Sequence, residues 1–246
     1  MTNTATQYRA YKGRNIDQMP LMLSLGVNPL SAVEFMRNRD AIFTQLRDVY
    51  ANVSDLVAYG GKGASDEIKM ILTMDNQGRI TESGRKTLEL INPKQERNSG
   101  AIVLSDELYD GFNGANVIKL SRKNLKKYGV NKRLTGPQVL NHPGWRVLLR
   151  HPDAVPTEFA YDKGLMQEVV GKTFAEMNSG RDGYREGMGF YPDASKKHAK
   201  MRTWCIGRLV LGSLAYGWLN LDHDYGHFVD IAPNETTSEA SPSQSS

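Results

Sequence analysis

The chain has 246 residues, enough to bury a sizeable core in one large domain or two small ones. With 39% apolar and 24% charged residues it has the make-up of a globular protein, so wholesale disorder is excluded. Lys and Arg outnumber acids 31 to 27, a formal charge of +4, and such a mild excess names no partner by itself; a single cysteine, Cys205, excludes an intramolecular disulfide framework.

The first 28 residues are polar and punctuated by glycine and proline, and are expected to be a flexible segment. "SAVEFMRNRDAIFTQLRDVYANVSDLVAYGG" then carries the clearest local pattern. Ser31 and Glu34 have capping-box spacing. Apolar residues recur at Ile42, Phe43, Leu46, Val49, Tyr50, Val53, Leu56 and Val57, one face of a helix that Gly60 and Gly61 would stop. A continuous helix over 31–59 would be ~40 Å long, and its stripe is a candidate self-association surface.

"IKMILTMDNQGRIT" reads as a strand with alternating Ile68, Met70, Leu72 and Met74 and a turn at Asp75–Gly78. A sub-boundary is placed near 92–100. "AIVLS" and "NVIKLS" each predict a short strand followed by a serine-capped helix, with Ser121 as N-cap and Gly129 as stop in the second. "PTEFAYDKGLMQEVVGKTFAEMNSG" predicts a helix with Pro156 in its first turn. "GMGFYP", "MRTWCIGRLV" and "HFVDIAP" read as strands. The expected fold is α+β: mixed helices and mostly antiparallel strands, one long N-terminal helix, and sheet strands concentrated in the C-terminal third. A single globular domain over 29–233 would be followed by a disordered tail at 234–246, where "NETTSEASPSQSS" has nothing to bury. The longest apolar run, 209–219, is too short for a bilayer, which needs about 20 residues; with no signal-peptide pattern, the cytoplasm is the expected compartment.

Charge is segregated. Between Asp110 and Asp153 there is no acid, whereas nine bases occur: Lys119, Arg122, Lys123, Lys126, Lys127, Lys132, Arg133, Arg146 and Arg150. On the helix after Ser121, Arg122 and Lys126 are four apart, as are Lys123 and Lys127, stacking like charges without local compensation. Phosphate backbone is the partner such a stretch suits, with Tyr128 and Trp145 as candidate stacking groups. DNA or RNA binding through Arg122, Lys123, Lys126, Lys127, Lys132 and Arg133 is therefore the leading expectation. A helix-turn-helix fits poorly, because Pro143 would end the recognition helix within about two turns.

"NLDHDYGHFVD" is the other chemical candidate. His223, Asp224 and His227 suffice in number for a divalent metal with an open position, hence a metal-dependent hydrolase or nuclease. Gly226 and the aspartates argue instead for a turn between strands. In that geometry His227 shares a sheet face with Val229, and Asp230 shares the other with Phe228. No further cofactor is expected. The residues around Lys62 lack P-loop spacing and are read as following a helix. Cys205, between Trp204 and Ile206, is read as a small apolar filler. Whether the chain is an enzyme stays open at this level.

Overall fold

A computed structural model describes residues 6–46, 51–62, 64, 66–179, 187–193, 197–207, 214–224 and 226–232. The expected tail and the glycine-rich stretch at 180–186 lie outside them.

The N-terminal segment is not loose: Tyr8–Lys12 forms strand β1 and Asn15–Ser24 forms helix α1. Ile16, Met19 and Met22, at three- and four-residue spacing, are all fully buried beneath the sheet. The capping box at Ser31 is present, with the Ser31 amide donating to Glu34 Oε2 at 2.8 Å and the Glu34 amide to Ser31 Oγ at 3.4 Å. The helix it starts, α2 (Ala32–Leu46), is about half the expected length. Ala51–Tyr59 is strand β2, and all nine of its residues are buried. A strand covered on both faces loses the apolar–polar alternation that marks a half-exposed one, so Val53, Leu56 and Val57 fit the face of a helix equally well. The stripe of α2 packs within the chain, since Val33, Phe35, Met36 and Ile42 are at most 3% exposed.

Gly60 and Gly61 thus follow a strand, and lead toward strand β3 (Glu67–Ile71) rather than a helix. The Asp75–Gly78 turn forms as read, with the Gln77 and Arg79 amides donating to Asp75 Oδ1. Helix α3 (Glu82–Leu88) follows. The 92–100 region is no boundary: β4 (Arg97–Asn98) and β5 (Ala101–Val103) form a hairpin, closed by Ser99 and Gly100 at φ 50° and 70°, and β5 joins the main sheet. Ser105 caps α4 (Asp106–Gly111), and Ser121 ends β6 (Val117–Ser121) and caps α5 (Arg122–Tyr128). Gly129 stops α5 at φ 107°, a conformation side chains rarely adopt. Next come β7 (Arg133–Leu134), α6 (Gly136–Asn141), α7 (Pro143–Leu148) and α8 (Lys163–Ser179). The start of α8 is seven residues later than Pro156 suggested; Asp162 Oδ1 accepts from the Gly164 amide at 2.7 Å and serves its first turn. Strands β8 (Met188–Pro192), β9 (Lys200–Ile206), β10 (Leu214–Gly217) and β11 (His227–Ile231) complete the order.

The eleven strands among the described residues join one mixed sheet, ordered β1-β11-β2-β9-β10-β8-β7, with β3, β5, β6 and β4 branching from it. The pairs β8–β10 and β2–β11 are parallel; the others are antiparallel. The central strands come from both halves of the chain, so the sheet is not confined to the last third. The first and last strands pair along their whole length, from Tyr8↔Ile231 to Lys12↔His227. Side chains of β2 alternate between two cores. Val53, Val57 and Tyr59 join α2, α7 and α8 on one face, while Leu56 and Ala58 join α1 on the other.

Two forks interrupt the ladder. Along one edge β2 pairs with β11 at Asn52 and with β3 from Leu56 onward. Along one edge β9 pairs with β5 at Lys200 and Met201 and with β10 at Cys205 and Ile206. Where neighbours diverge, buried polar groups need other partners. At the first fork Asp55 fills that need, accepting from the Ala32 amide at 2.8 Å and from Arg150 Nη2 at 2.6 Å; both side chains are 1% exposed. At the second fork Arg202 does so, donating to the carbonyls of Leu219 at 2.8 Å and Ser99 at 2.6 Å.

Candidate functional site

The expected metal ligands do not converge. Residues 221–224 make the anticipated turn, and His223 and Asp224 are exposed on it. It connects strands that are not neighbours, because β10 lies between β8 and β9 whereas β11 lies between β1 and β2. His227 begins β11, half-buried, and desolvation beside Lys12 pushes its imidazole pKa down. Asp230 points to the opposite face and pairs with Arg9 at 2.8 Å. Among the described residues no group of three His, Cys, Asp or Glu side chains could hold a metal.

The basic segment divides. Arg150 is buried on Asp55, Arg146 pairs with Asp153 at 2.9 Å, and Arg122 donates to the Asp193 carbonyl at 2.8 Å while lying over the Tyr59 ring. Lys123, Lys126 and Lys127 on α5, with Lys132 and Arg133 beyond it, are exposed. Tyr128 is 42% exposed, but Trp145 is fully buried and has no face to offer a base. Pattern cannot distinguish a core tryptophan from a stacking one.

What the motif reading missed lies just before the histidine turn, in "LAYGWLN". Tyr216, Trp218 and Asn220 alternate with Ala215 and Gly217, so one side of this extended stretch faces outward and the other enters the core. That alternation of aromatic and amide side chains was the available signal. Trp218 is 46% exposed. It meets Tyr216 edge-on at 5.6 Å between centroids, and Tyr216 meets Tyr191 at 5.3 Å. Tyr216 and Trp218 border a cavity of about 470 Å³ that Asn52, Asn220 and His223 also line. Gly217 is required here: a Cβ would collide with the Tyr59 hydroxyl and the Trp204 ring. The Tyr59 hydroxyl donates to the Gly217 carbonyl at 2.9 Å and accepts from the Asp193 amide at 3.1 Å, tying β10 to the end of β8. Cys205 sits fully buried behind this cavity, and burial pushes its thiol up to about 12, which suits a filler rather than a nucleophile.

No family model and no curated protein matches the sequence. A solved structure described as accommodation of massive sequence variation in Nanoarchaeota by the C-type lectin fold is similar over 94% of this chain and 99% of that one, with TM-score 0.57 and 14% identity. The chain has a C-type lectin fold.

Within this C-type lectin fold the second fork opens into a polar cavity of about 680 Å³, which shares the lining residues Trp218 and Asn220 with the aromatic one. Lys200 Nζ stands 2.6 Å from Asp193 Oδ2 and Arg202 Nε stands 3.4 Å from the same atom. Burial lowers the pKa of both cations, and Asp193 opposes that shift. Among the described residues no helix is long and apolar enough to cross a membrane.

Proposed function

We propose that the protein is a non-enzymatic binding module whose C-type lectin fold presents the Trp218 face to a partner. The observation that carries this reading is Trp218 itself, a large aromatic side chain 46% exposed and braced by Tyr216 at the mouth of a cavity. Exposed, rigidly held aromatic rings beside amide groups are what recognition surfaces use, because they offer area at small entropic cost. The similar solved structure is described as accommodating massive sequence variation. The same property suits this face: Tyr216, Trp218 and Asn220 project outward while Ala215 and Gly217 carry the packing, so the outward side chains can vary without cost to the core. A panel of glycans and peptides probed with wild-type protein and with Trp218→Ala tests this. Ligands held by the wild type should lose at least tenfold in affinity, the usual loss at a contact hot spot, with no change in Tm. Unchanged affinity for every retained ligand would remove the reading.

A second reading, nucleic-acid binding, is favoured by one observation: Lys123, Lys126, Lys127, Lys132 and Arg133 are all exposed within a stretch free of acids, with Tyr128 exposed beside them. If these five contact phosphates, affinity for DNA or RNA should fall roughly five-hundredfold between 50 and 200 mM salt. Fluorescence anisotropy with labelled oligonucleotides measures that slope, and absence of binding at low salt would discard it.

A further inference from the structure

We propose that the cavity at the second fork, where β9 exchanges β5 for β10, is an oxyanion site for a ring-bearing phosphate or sulfate ester. The anion half stands on the fork's own geometry; placing the ester's ring on Trp218 rests on the reading of that face given above.

The argument begins with charge. Lys200 and Arg202 are 9% and 3% exposed at the side chain, and both lean on one oxygen of one carboxylate, Asp193. Arg122 reaches the same residue through its backbone carbonyl and brings a third cation. Lys197 lies exposed on the cavity lining. The acids acting here are Asp193 and, more weakly, Asp222. Among the described residues, four cations and two carboxylates therefore act on this cavity. Burying an uncompensated cation is costly unless a counter-charge arrives, and the proximity of Arg202 and Arg122 pushes the Lys200 pKa further down. An external oxyanion relieves that imbalance with charge-assisted hydrogen bonds, a task to which guanidinium and ammonium groups are suited.

The rim supplies a second sign, the fixing of Arg202 in advance. Three non-glycine residues among those described have positive φ, and two of them, Ser99 (50°) and Asn131 (54°), line this cavity. Ser99 takes that conformation to close the β4–β5 hairpin, which sets its carbonyl at the rim. The carbonyl of Ser99 already fixes Arg202 Nη2 at 2.6 Å, so the guanidinium is positioned before any ligand arrives. The third sign is adjacency. Trp218 and Asn220 border both cavities, so an ester whose phosphate sits by Lys200 and Lys197 can lay its ring on the indole.

Isothermal titration with inorganic phosphate, sulfate, glucose 6-phosphate and adenosine 5′-monophosphate, each balanced with chloride to equal ionic strength, tests the assignment. Inorganic phosphate should bind wild type and Trp218→Ala alike, lose at least tenfold in Lys200→Met, and lose severalfold in Lys197→Glu. Asp193→Asn should gain severalfold, because it removes the internal competitor. Whichever ester binds more tightly than phosphate, sugar or nucleotide, should lose that advantage in Trp218→Ala. Should Lys200→Met fail to fold, the exposed Lys197→Glu and the expected gain in Asp193→Asn still decide. Absence of phosphate or sulfate binding tighter than ~10 mM, or a weaker rather than tighter Asp193→Asn, overturns the site while leaving the Trp218 face intact. Phosphate binding with no ester advantage leaves the anion site standing, overturns its ring-bearing half, and counts against the Trp218 face.

Discussion

His142 is expected to make the protein acid-labile in one defined window. It lies fully buried between α6 and α7, 4.7 Å from the Phe190 ring centroid, and caps α7. Nδ1 accepts the Trp145 amide at 3.3 Å while Nε2 lies 3.1 Å from the Gly129 carbonyl, so these partners assign the neutral ring with its proton on Nε2. A second proton would have to go on Nδ1, against a donor and against the positive end of a helix. Burial pushes the pKa from 6.5 down to about 4. The unfolded chain thus takes up a proton below about 6.5 that the native state refuses until about 4. The corresponding stability is present above pH 6.5 and is lost as pH falls to 4. The difference of 2.5 units at 1.36 kcal/mol each gives ~3 kcal/mol. His142→Asn keeps a cap acceptor and cannot titrate. Urea unfolding at pH 7, 6, 5 and 4 should show the variant less stable at pH 7, with the gap to wild type closing by ~3 kcal/mol at pH 4. A gap that stays constant across that range would refute the reasoning, because every other titrating group is common to both proteins.

Arg150→Met should cost ~3–5 kcal/mol in chemical denaturation by stranding Asp55, and Asp55→Leu added to it should restore much of the loss; a single variant within ~1 kcal/mol of wild type would show the pair to be dispensable. Gly144→Ala should cost ~1–3 kcal/mol, since its Cβ would overlap the Phe190 ring, and Phe190→Leu in the same chain should recover part of it. Trp218→Ala should leave stability within ~0.5 kcal/mol, as measured by thermal unfolding, because the indole is braced at the surface rather than packed. Lys126→Glu with Lys127→Glu should reduce the salt slope of any oligonucleotide binding by about two; an unaltered slope would place the contact elsewhere.

Local features with short-range causes were legible in the sequence. The Ser31–Glu34 box, the Asp75 turn, the Ser121 cap and the Gly129 stop each depend on groups within four residues, and each is present. Ala51–Tyr59 was not legible, because burial on both faces erases the two-residue alternation that marks a strand. The N-terminal segment misled for a related reason: β1 is held by β11, more than 200 residues away in the sequence, from Tyr8↔Ile231 to Lys12↔His227, and no local pattern reports that pairing. The run of bases was visible in the sequence, but the engagement of Arg150, Arg146 and Arg122 was not, because Asp55, Asp153 and the Asp193 carbonyl lie outside it. The fork cavity joins residues from 98 to 220 and has no linear signature at all.

The pairing of β1 with β11 has a mechanical consequence. The start of β1 lies opposite the end of β11, so a pull applied between Tyr8 and Ile231 loads the hydrogen bonds one rung at a time instead of in shear. The closed edge should peel like a zipper at low force. The same geometry brings the two ends of the fold to one point on an edge strand, so a tether fused at both would converge there.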